Sequence, residues 1–192
     1  TMDALQLAEA KGLTIVCDIN YRKNLWGYGM QPHDVIYNMM QYSDIVFGDQ
    51  NEWEVASGVK HIPFNALDAG YVINREAYQE YFRKMHVLFP KCKKMVMALR
   101  NQLASSHHTL TGLLYDAVHD CLYTTKIYDI QPIVDPMGVG DAFVAGYIHA
   151  HQKWAADNQY CLDFALSASA LKNTIPGDQN LVTEEEIISN LT

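Results

Sequence analysis

The sequence predicts an α/β fold with a mostly parallel, doubly wound sheet. Three short, largely apolar runs have the length and composition of strands that are covered on both faces: Leu13–Cys17, Asp44–Phe47 and Met95–Leu99. The segments before and between these runs carry apolar residues at helical spacing. Because helices that alternate with buried strands are typical of parallel sheets, this order predicts the fold class.

Caps and helix breakers place the helices along the chain. Glycine favours the position just past a helix, proline favours its first position, and a small polar residue caps its amino end. These signals predict the following boundaries: Gly12 ends the first helix, Pro32 begins the second, Gly58 ends the third, Asn74 caps the fourth, and Thr183 with Glu186 forms a capping box for the last.

The middle of the chain has a different pattern. Two segments, around Leu113–Tyr115 and Leu122–Tyr128, alternate apolar with polar residues and are predicted to be antiparallel or edge strands. The stretch from Ala98 to Thr109 is polar and contains no glycine, and it is predicted to be a long loop.

Length and charge exclude several classes of function. The 192 residues suit one domain, and 14 basic against 22 acidic residues give a net charge of −8, which argues against nucleic-acid and membrane partners. The chain does not open with a basic stretch followed by an apolar one, as a secretory signal would. Its four cysteines are far apart and form no C-x-x-C pair, so structural thiols and a cytoplasmic location are expected.

Polar loops after Cys17, after Phe47 and around Gly138 follow predicted strands. Parallel sheets bind ligands beyond the carboxyl ends of their strands, so these loops define one candidate site. Gly138 and Gly140 open a helix whose first amides suit a phosphate or a developing oxyanion. No Gly-Lys pair of a Walker loop is present, and Phe143 stands where a dinucleotide fingerprint needs glycine or alanine.

Asp141 is the unusual residue of this glycine turn, the segment Asp135-Pro-Met-Gly-Val-Gly-Asp141. Its carboxylate would repel a statically bound pyrophosphate, but it suits a base that takes a proton from an attacking hydroxyl. The alternative is an ordinary turn in which Asp141 supports the start of the helix.

Four segments in order resemble the ribokinase-like (PfkB-type) carbohydrate kinases. The stretch from Asp135 to Gly146 (DPMGVGDAFVAG) is similar to the D-[TP]-x-G-A-G-D-x-F-x-x-G signature of the family, and Asn51-Glu-Trp-Glu54 matches its N-x-x-E motif. Two further segments resemble the 2-keto-3-deoxygluconate kinase branch of the family: Asp18-Ile-Asn-Tyr-Arg-Lys-Asn-Leu-Trp26 and Lys172-Asn-Thr-Ile-Pro-Gly-Asp178. The resemblance implies that residues 1–192 are the C-terminal, nucleotide-binding and catalytic portion of one ribokinase-like domain, without the family's N-terminal strands and β lid.

The resemblance also implies roles for individual residues. Asp141 would be the general base, and the amides of Gly138, Val139 and Gly140 would form the anion hole for the γ-phosphate. Asn51 and Glu54 would act through Mg²⁺ and its waters; without the family, the solvated face of a short helix is the favoured explanation.

Substrate and nucleotide contacts are implied in the same way. Arg22 would pair with the carboxylate of a sugar acid, for which the alternative is a surface ion pair. The other implied substrate contacts are Asn20, Tyr21, Asp141 and Asp178, and the implied nucleotide contacts are Asn20, Arg100, Ser105, Gly138, Gly140 and Asn173.

The resemblance therefore implies an ATP-dependent kinase of 2-keto-3-deoxygluconate or a similar sugar acid. Its cofactors would be ATP and Mg²⁺, and the sequence leaves a monovalent cation near the anion hole and a homo-oligomer open. Two alternatives stay open as well: a kinase of a neutral sugar of the fructose or ribose type, and a truncated, catalytically inactive nucleotide-binding module.

Overall fold

A computed structural model describes residues 1–65, 67–68 and 70–191. In this part of the chain, seven α-helices and six strands follow one another in the order α1 (Met2–Ala10), β1 (Val16–Asp18), α2 (Pro32–Met40), β2 (Ile45–Phe47), α3 (Gln50–Ser57), α4 (Arg75–Leu88), β3 (Lys94–Ala104), β4 (His107–Asp116), β5 (Cys121–Thr124), β6 (Tyr128–Ile130), α5 (Val139–Trp154), α6 (Asn158–Lys172) and α7 (Glu184–Ser189). A 3₁₀ turn, Lys23–Leu25, follows β1.

The strands form a sheet in the order β1-β2-β3-β4-β5, and β6 also pairs with β4. The parallel part has Val16 opposite Ile45 and Phe47 opposite Val96. Helices connect these parallel strands, as crossover geometry requires. The predicted α/β class is confirmed, and the alternating segments are antiparallel as predicted where β4 pairs with β6.

The helix boundaries follow their local signals. Gly58 adopts a left-handed conformation (φ 72°) at the end of α3, and the Asn74 side chain accepts a hydrogen bond from Ala77 N at the start of α4. Thr183 and Glu186 form the predicted capping box of α7. These predictions are confirmed because a cap is decided by two or three neighbouring residues.

The predicted loop from Ala98 to Thr109 is wrong. β3 continues through it to Ala104, and a two-residue turn, Ser105-Ser106, leads directly into β4. Buried polar pairs stabilise this hairpin: Asn101 Nδ2 donates to Thr109 Oγ1 over 2.9 Å, and both side chains are buried. Because polar residues occupy inward positions, the segment has the composition of a loop and the geometry of a strand.

The expectation that Leu13–Cys17 is covered on both faces is also wrong. β1 comprises only Val16–Asp18, and the side chains of Leu13 and Val16 are 57% and 37% exposed. β1 is the first strand in the sheet order and pairs with β2, whose residues are all buried. The apolar composition identified a strand but not its exposure.

The chain divides into two compact units. The first comprises Thr1–Pro63, Ile73–Met97 and Tyr115–Leu122, and its core contains Trp53 and Phe82 in edge-to-face contact. The second comprises Phe64–Val72, Ala98–Leu114 and Tyr123–Thr192, and its core contains Tyr147 and Phe164.

Small residues let α5 and α6 pack closely in the second unit. A Cβ atom added to Gly146 of α5 would lie 3.0 Å from Ala168 Cβ and 3.2 Å from Ala165 Cα of α6. The two helix backbones therefore approach closely at Gly146, and a larger side chain at this position would force them apart. This contact holds α5, whose first turn carries the candidate catalytic residue, against α6.

None of the helices in the described residues is long and apolar enough to cross a membrane. All four cysteines are free. Burial raises the pKa of Cys17 to about 11 and that of Cys92 to about 12, so both thiols are protonated at neutral pH.

We expect Gly146→Val to lower the free energy of unfolding by about 2 kcal/mol, because its methyl groups overpack the contact with α6. Ala145→Val, at the exposed neighbouring position of the same helix, is the matched control and costs about 0.5 kcal/mol in helix propensity. Urea denaturation followed by circular dichroism measures both. Equal losses for the two variants would contradict close packing at Gly146.

Candidate active site

The glycine turn leads into the first turn of α5. Gly138 is the N-cap with a left-handed backbone (φ 73°), and the first hydrogen bond of the helix runs from Ala142 N to Gly138 O over 2.8 Å. The amides of Val139, Gly140 and Asp141 precede this bond and have no acceptor within the helix. They lie at the positive end of a 16-residue helix dipole, which favours an anion.

Gly138 is required by the close approach of another loop. A Cβ atom at this position would lie 2.1 Å from the carbonyl oxygen of Asp178, and the positive φ adds strain for any residue with a side chain. Gly140 differs, because no atom lies within 4 Å of its Cβ position. The turn is therefore closed against residue 178 on one side and open at Gly140.

Asp135 stabilises the turn from within. Its Oδ1 accepts the amide of Met137 over 2.9 Å, and its Oδ2 accepts the amide of Gly177 over 2.8 Å. These two hydrogen bonds, with a smaller contribution from the charge of Lys172, hold the pKa of Asp135 below its usual range. The sequence motif contained Asp135 but assigned it no role, although its place at the first position of the motif was a signal.

The carboxyl end of α6 holds the other side of the turn. The carbonyl of Asn173 accepts the amides of Val134 and Asp135 over 2.8 and 3.2 Å. Ser169 Oγ donates to Val139 O over 3.0 Å, and Asn173 Nδ2 donates to Ser169 O over 2.9 Å. Asn173, predicted to bind nucleotide, is buried, and its observed contacts support the glycine turn.

The exposed face of the turn carries two of the predicted site carboxylates. Asp141 lies in the first turn of α5 and is exposed, as are Gly140 and Asp178. Gly138, Val139, Gly140, Asp141, Asn173 and Asp178 are thus brought together in the second unit. A carboxylate beside unpartnered amides can accept a proton while the amides hold an anion.

Arg100 and Ser105 lie on the hairpin of β3 and β4. Both are exposed, Arg100 within β3 and Ser105 in the connecting turn. Five strand positions separate them, which corresponds to about 16 Å along an extended backbone. The two predicted nucleotide ligands therefore lie at separate places on the hairpin.

Asn20, Tyr21 and Arg22 form a short segment after β1 in the first unit. Asn20 is exposed and adopts a positive φ of 46°, and the amide of Tyr21 donates to Glu52 Oε1 over 2.9 Å. Arg22 Nη1 lies 3.2 Å from the carbonyl of Tyr21 and 3.7 Å from Glu52 Oε1, and its side chain is 63% exposed. The guanidinium is therefore available to solvent or a ligand.

Glu52 is the residue in this region that sequence reasoning missed. It also accepts the amide of Asp49 over 2.8 Å in the capping box of α3. Burial raises the pKa of Glu52, against the opposing effect of its hydrogen bonds from the Asp49 and Tyr21 amides. The signal for it was Asp49-x-x-Glu52, a capping-box spacing at the start of α3.

Asn51 and Glu54 are three positions apart on α3 and share a helix face. Asn51 is exposed, whereas Glu54 Oε2 lies 2.6 Å from His61 Nδ1. Hydrogen bonds from the backbone and ring of His61 lower the pKa of Glu54. The oxygen donors of this pair suit Mg²⁺, and among the described residues no group of three or more metal-binding side chains is present. The pair therefore fits a cation that keeps most of its waters.

Solved structures resemble the chain along nearly its whole length. A 2-dehydro-3-deoxygluconokinase from Thermotoga maritima is 28% identical with a TM-score of 0.84, over 99% of this chain and 53% of that one. A PfkB family carbohydrate kinase from Listeria grayi is 24% identical with a TM-score of 0.80, over 97% and 52%. A fructokinase from Vibrio cholerae, bound to fructose, ADP and calcium, is 18% identical with a TM-score of 0.68, over 100% and 55%.

These structures confirm the resemblance to ribokinase-like carbohydrate kinases, and the chain has their fold. It spans about half the length of the solved structures that it matches. No protein-family model matches the sequence, and no curated protein matches it either.

We expect Gly138→Ala to lower the free energy of unfolding by about 3 kcal/mol, because the methyl group meets the Asp178 carbonyl in a left-handed conformation. Gly140→Ala is the matched control, because its Cβ position is open and alanine favours a helix. Chemical denaturation of both variants tests this difference. If Gly138→Ala were as stable as Gly140→Ala, the close approach of residue 178 would be refuted.

Proposed function

We propose that the chain is the nucleotide-binding and catalytic portion of an ATP-dependent sugar-acid kinase, and that it forms the C-terminal portion of a single ribokinase-like domain. The observation that carries this proposal is the exposed Asp141 beside the free amides of the first turn of α5. The similarity to the 2-dehydro-3-deoxygluconokinase of T. maritima supports a sugar acid such as 2-keto-3-deoxygluconate as the substrate.

In the proposed reaction, Asp141 accepts the proton of a substrate hydroxyl. The hydroxyl oxygen then forms a bond to the γ-phosphorus of ATP, the bond from that phosphorus to the bridging oxygen breaks, and ADP leaves. The amides of Gly138, Val139 and Gly140 stabilise the charge on the transferring group, an effect worth roughly 3–4 kcal/mol per donor in other enzymes. Asp178, whose backbone carbonyl meets Gly138, also contacts the substrate.

The cofactors follow from the same proposal. ATP is the phosphoryl donor, and Mg²⁺, when bound, neutralises charge on its phosphates. Asn51 and Glu54 would hold the hydrated cation through its waters, and protonated His61 would compete for Glu54. The ADP and calcium bound to the V. cholerae fructokinase support a nucleotide and a divalent cation in this fold.

Arg22 carries the proposed preference for a sugar acid. Among the described residues, its exposed guanidinium is held by a backbone carbonyl and a 3.7 Å ion pair, so a ligand carboxylate can replace Glu52 as its partner. Asn20 and Tyr21 belong to the same segment, whose backbone Glu52 fixes. A neutral sugar has no group that needs this guanidinium.

We expect Asp141→Asn to reduce kcat by about 10²- to 10⁴-fold, the usual contribution of a general base, and to leave ATP affinity nearly unchanged. The substitution keeps the size of the side chain and removes its ability to accept the proton. Coupled-enzyme kinetics and calorimetric titration of ATP, both on the full-length protein, measure the two effects. Turnover by Asp141→Asn at the wild-type rate would remove Asp141 from this role.

We expect Arg22→Ala to raise the KM for a sugar acid about 10-fold or more, because a bidentate charged pair is lost, and to leave the KM for fructose or ribose unchanged. Initial rates with 2-keto-3-deoxygluconate, fructose and ribose test this. Preference of the wild type for a neutral sugar, with no effect of Arg22→Ala, would favour the neutral-sugar kinase. ATP binding without turnover of any sugar would favour the inactive nucleotide-binding module.

A further inference from the structure

Lys172 is the one lysine or arginine among the described residues whose side chain is buried, and it is fully inaccessible to solvent. Its Nζ donates a hydrogen bond to the carbonyl of Ile175 over 3.0 Å, which uses one of the three donors of an ammonium group. Because a buried charge is costly, a cation at such a position is stabilised only by negative groups around it.

Two sources of negative charge lie at this position. Lys172 is the last residue of α6, where the carbonyl end of the helix dipole favours a cation. The carboxylate of Asp135 is the second: its Oδ2 accepts the amide of Gly177 over 2.8 Å, two residues beyond the Ile175 carbonyl that Lys172 Nζ contacts over 3.0 Å. The charge of Lys172 also contributes, after the Met137 and Gly177 amides, to the lowered pKa of Asp135. The ammonium is therefore placed by the carboxyl end of α6 and by the carboxylate inside the glycine turn.

Lys172 is also tied to the backbone that shapes the turn. The next residue, Asn173, accepts the amides of Val134 and Asp135 through its carbonyl oxygen. Lys172 Nζ also contacts the carbonyl of Ile175. Two residues later in the chain, the amide of Gly177 donates to Asp135. A change at Lys172 is transmitted to the glycine turn through both connections.

The charge balance of the turn shows what the ammonium can do. Asp135 and Asp141 lie in the turn and the backbone of Asp178 packs against Gly138, so three acidic residues belong to the segments that are proposed to bind phosphate. A nearby cation that water does not reach is screened much less than a surface lysine. Lys172 therefore offsets the carboxylates at the position where an anion must bind.

We propose that Lys172 is a positioning residue for phosphate binding, whose buried ammonium supplies the fixed positive charge behind the glycine turn and holds residues 173–178 against it. This inference rests on the proposed function, since it takes the turn to be the phosphate site. In this role, the Lys172 ammonium does not contact the nucleotide. It acts through Asp135 and through the backbone of the turn.

The test compares two substitutions at Lys172 in the full-length protein. Lys172→Met keeps the apolar stem and removes the charge, whereas Lys172→Gln keeps an N–H donor for the Ile175 carbonyl and also removes the charge. We expect both to weaken ATP affinity at least about tenfold, the size of effect seen when a supporting residue behind a bound group is lost. Calorimetric titration with ATP measures the affinity, and circular dichroism verifies folding.

Lys153→Met is the matched control. Lys153 lies on α5 in the same unit, is half exposed, and pairs with Glu184, so its removal changes the net charge by the same amount. We expect its ATP affinity to change less than about twofold, because exposed ion pairs contribute little. An equal loss in Lys153→Met and Lys172→Met would reduce the effect to net charge and overturn the inference.

Chemical rescue separates the charge of Lys172 from its packing. In Lys172→Ala, ammonium or methylammonium chloride should restore part of the ATP affinity, and sodium chloride at the same ionic strength should not. Wild-type affinity in Lys172→Gln, or equal rescue by sodium, would show that only a hydrogen bond or a filled space is needed and would overturn the inference.

The outcomes also separate this inference from the proposed function. If the wild type phosphorylates a sugar acid and the Lys172 variants bind ATP and turn over normally, the role of Lys172 is wrong and the kinase stands. If the wild type binds ATP and phosphorylates no sugar while the Lys172 variants lose ATP affinity, the role of Lys172 stands and the kinase is wrong.

Discussion

The contact between the carboxyl end of α6 and the glycine turn is the constraint on which the candidate active site depends. A backbone with a left-handed glycine at the N-cap of α5 has no intrinsic reason to keep one conformation. Here the Asn173 carbonyl holds the amides of Val134 and Asp135, and the Asp135 carboxylate holds the amide of Gly177. With the turn fixed in this way, the amides at the start of α5 keep a common direction before any anion arrives, as electrostatic preorganisation requires.

An acidic chain can bind an anion where the groups close to the binding position favour it. The net charge of −8 describes the whole molecule, whereas a bound phosphate would interact mainly with groups within about 8 Å at physiological salt. At the glycine turn those groups are the oriented amides and the helix dipole of α5, neighbouring acidic residues and, in our proposal, the buried ammonium of Lys172. The composition argued against a basic binding surface, and it carried no information about this local arrangement.

The sequence predicted those features that a few neighbouring residues decide. Gly58, Asn74 and the capping box of α7 act within one turn of helix, and the glycine turn is a continuous motif. The carboxyl half of β3 was missed because the partners of the buried Asn101 are distant in sequence or across the hairpin: the Asp68 carbonyl and Thr109 Oγ1. The scaffold of the turn was missed for the same reason, since Asp135 and Gly177 lie 42 positions apart and neither residue type indicates its partner.

Arg22 shows how the structure limits a role without assigning it. The alternative role of Arg22, a surface ion pair, is present in the structure, because its Nη1 lies 3.7 Å from Glu52 Oε1. That pair is weak, since an exposed guanidinium at this distance gains little in water and loses side-chain entropy when it is held. Each oxygen of Glu52 already accepts an amide, that of Tyr21 or of Asp49, so Arg22 would have to share both oxygens to form a bidentate pair. The pair therefore orients Arg22 without satisfying it, and a carboxylate that presents both oxygens to the guanidinium would be the better partner.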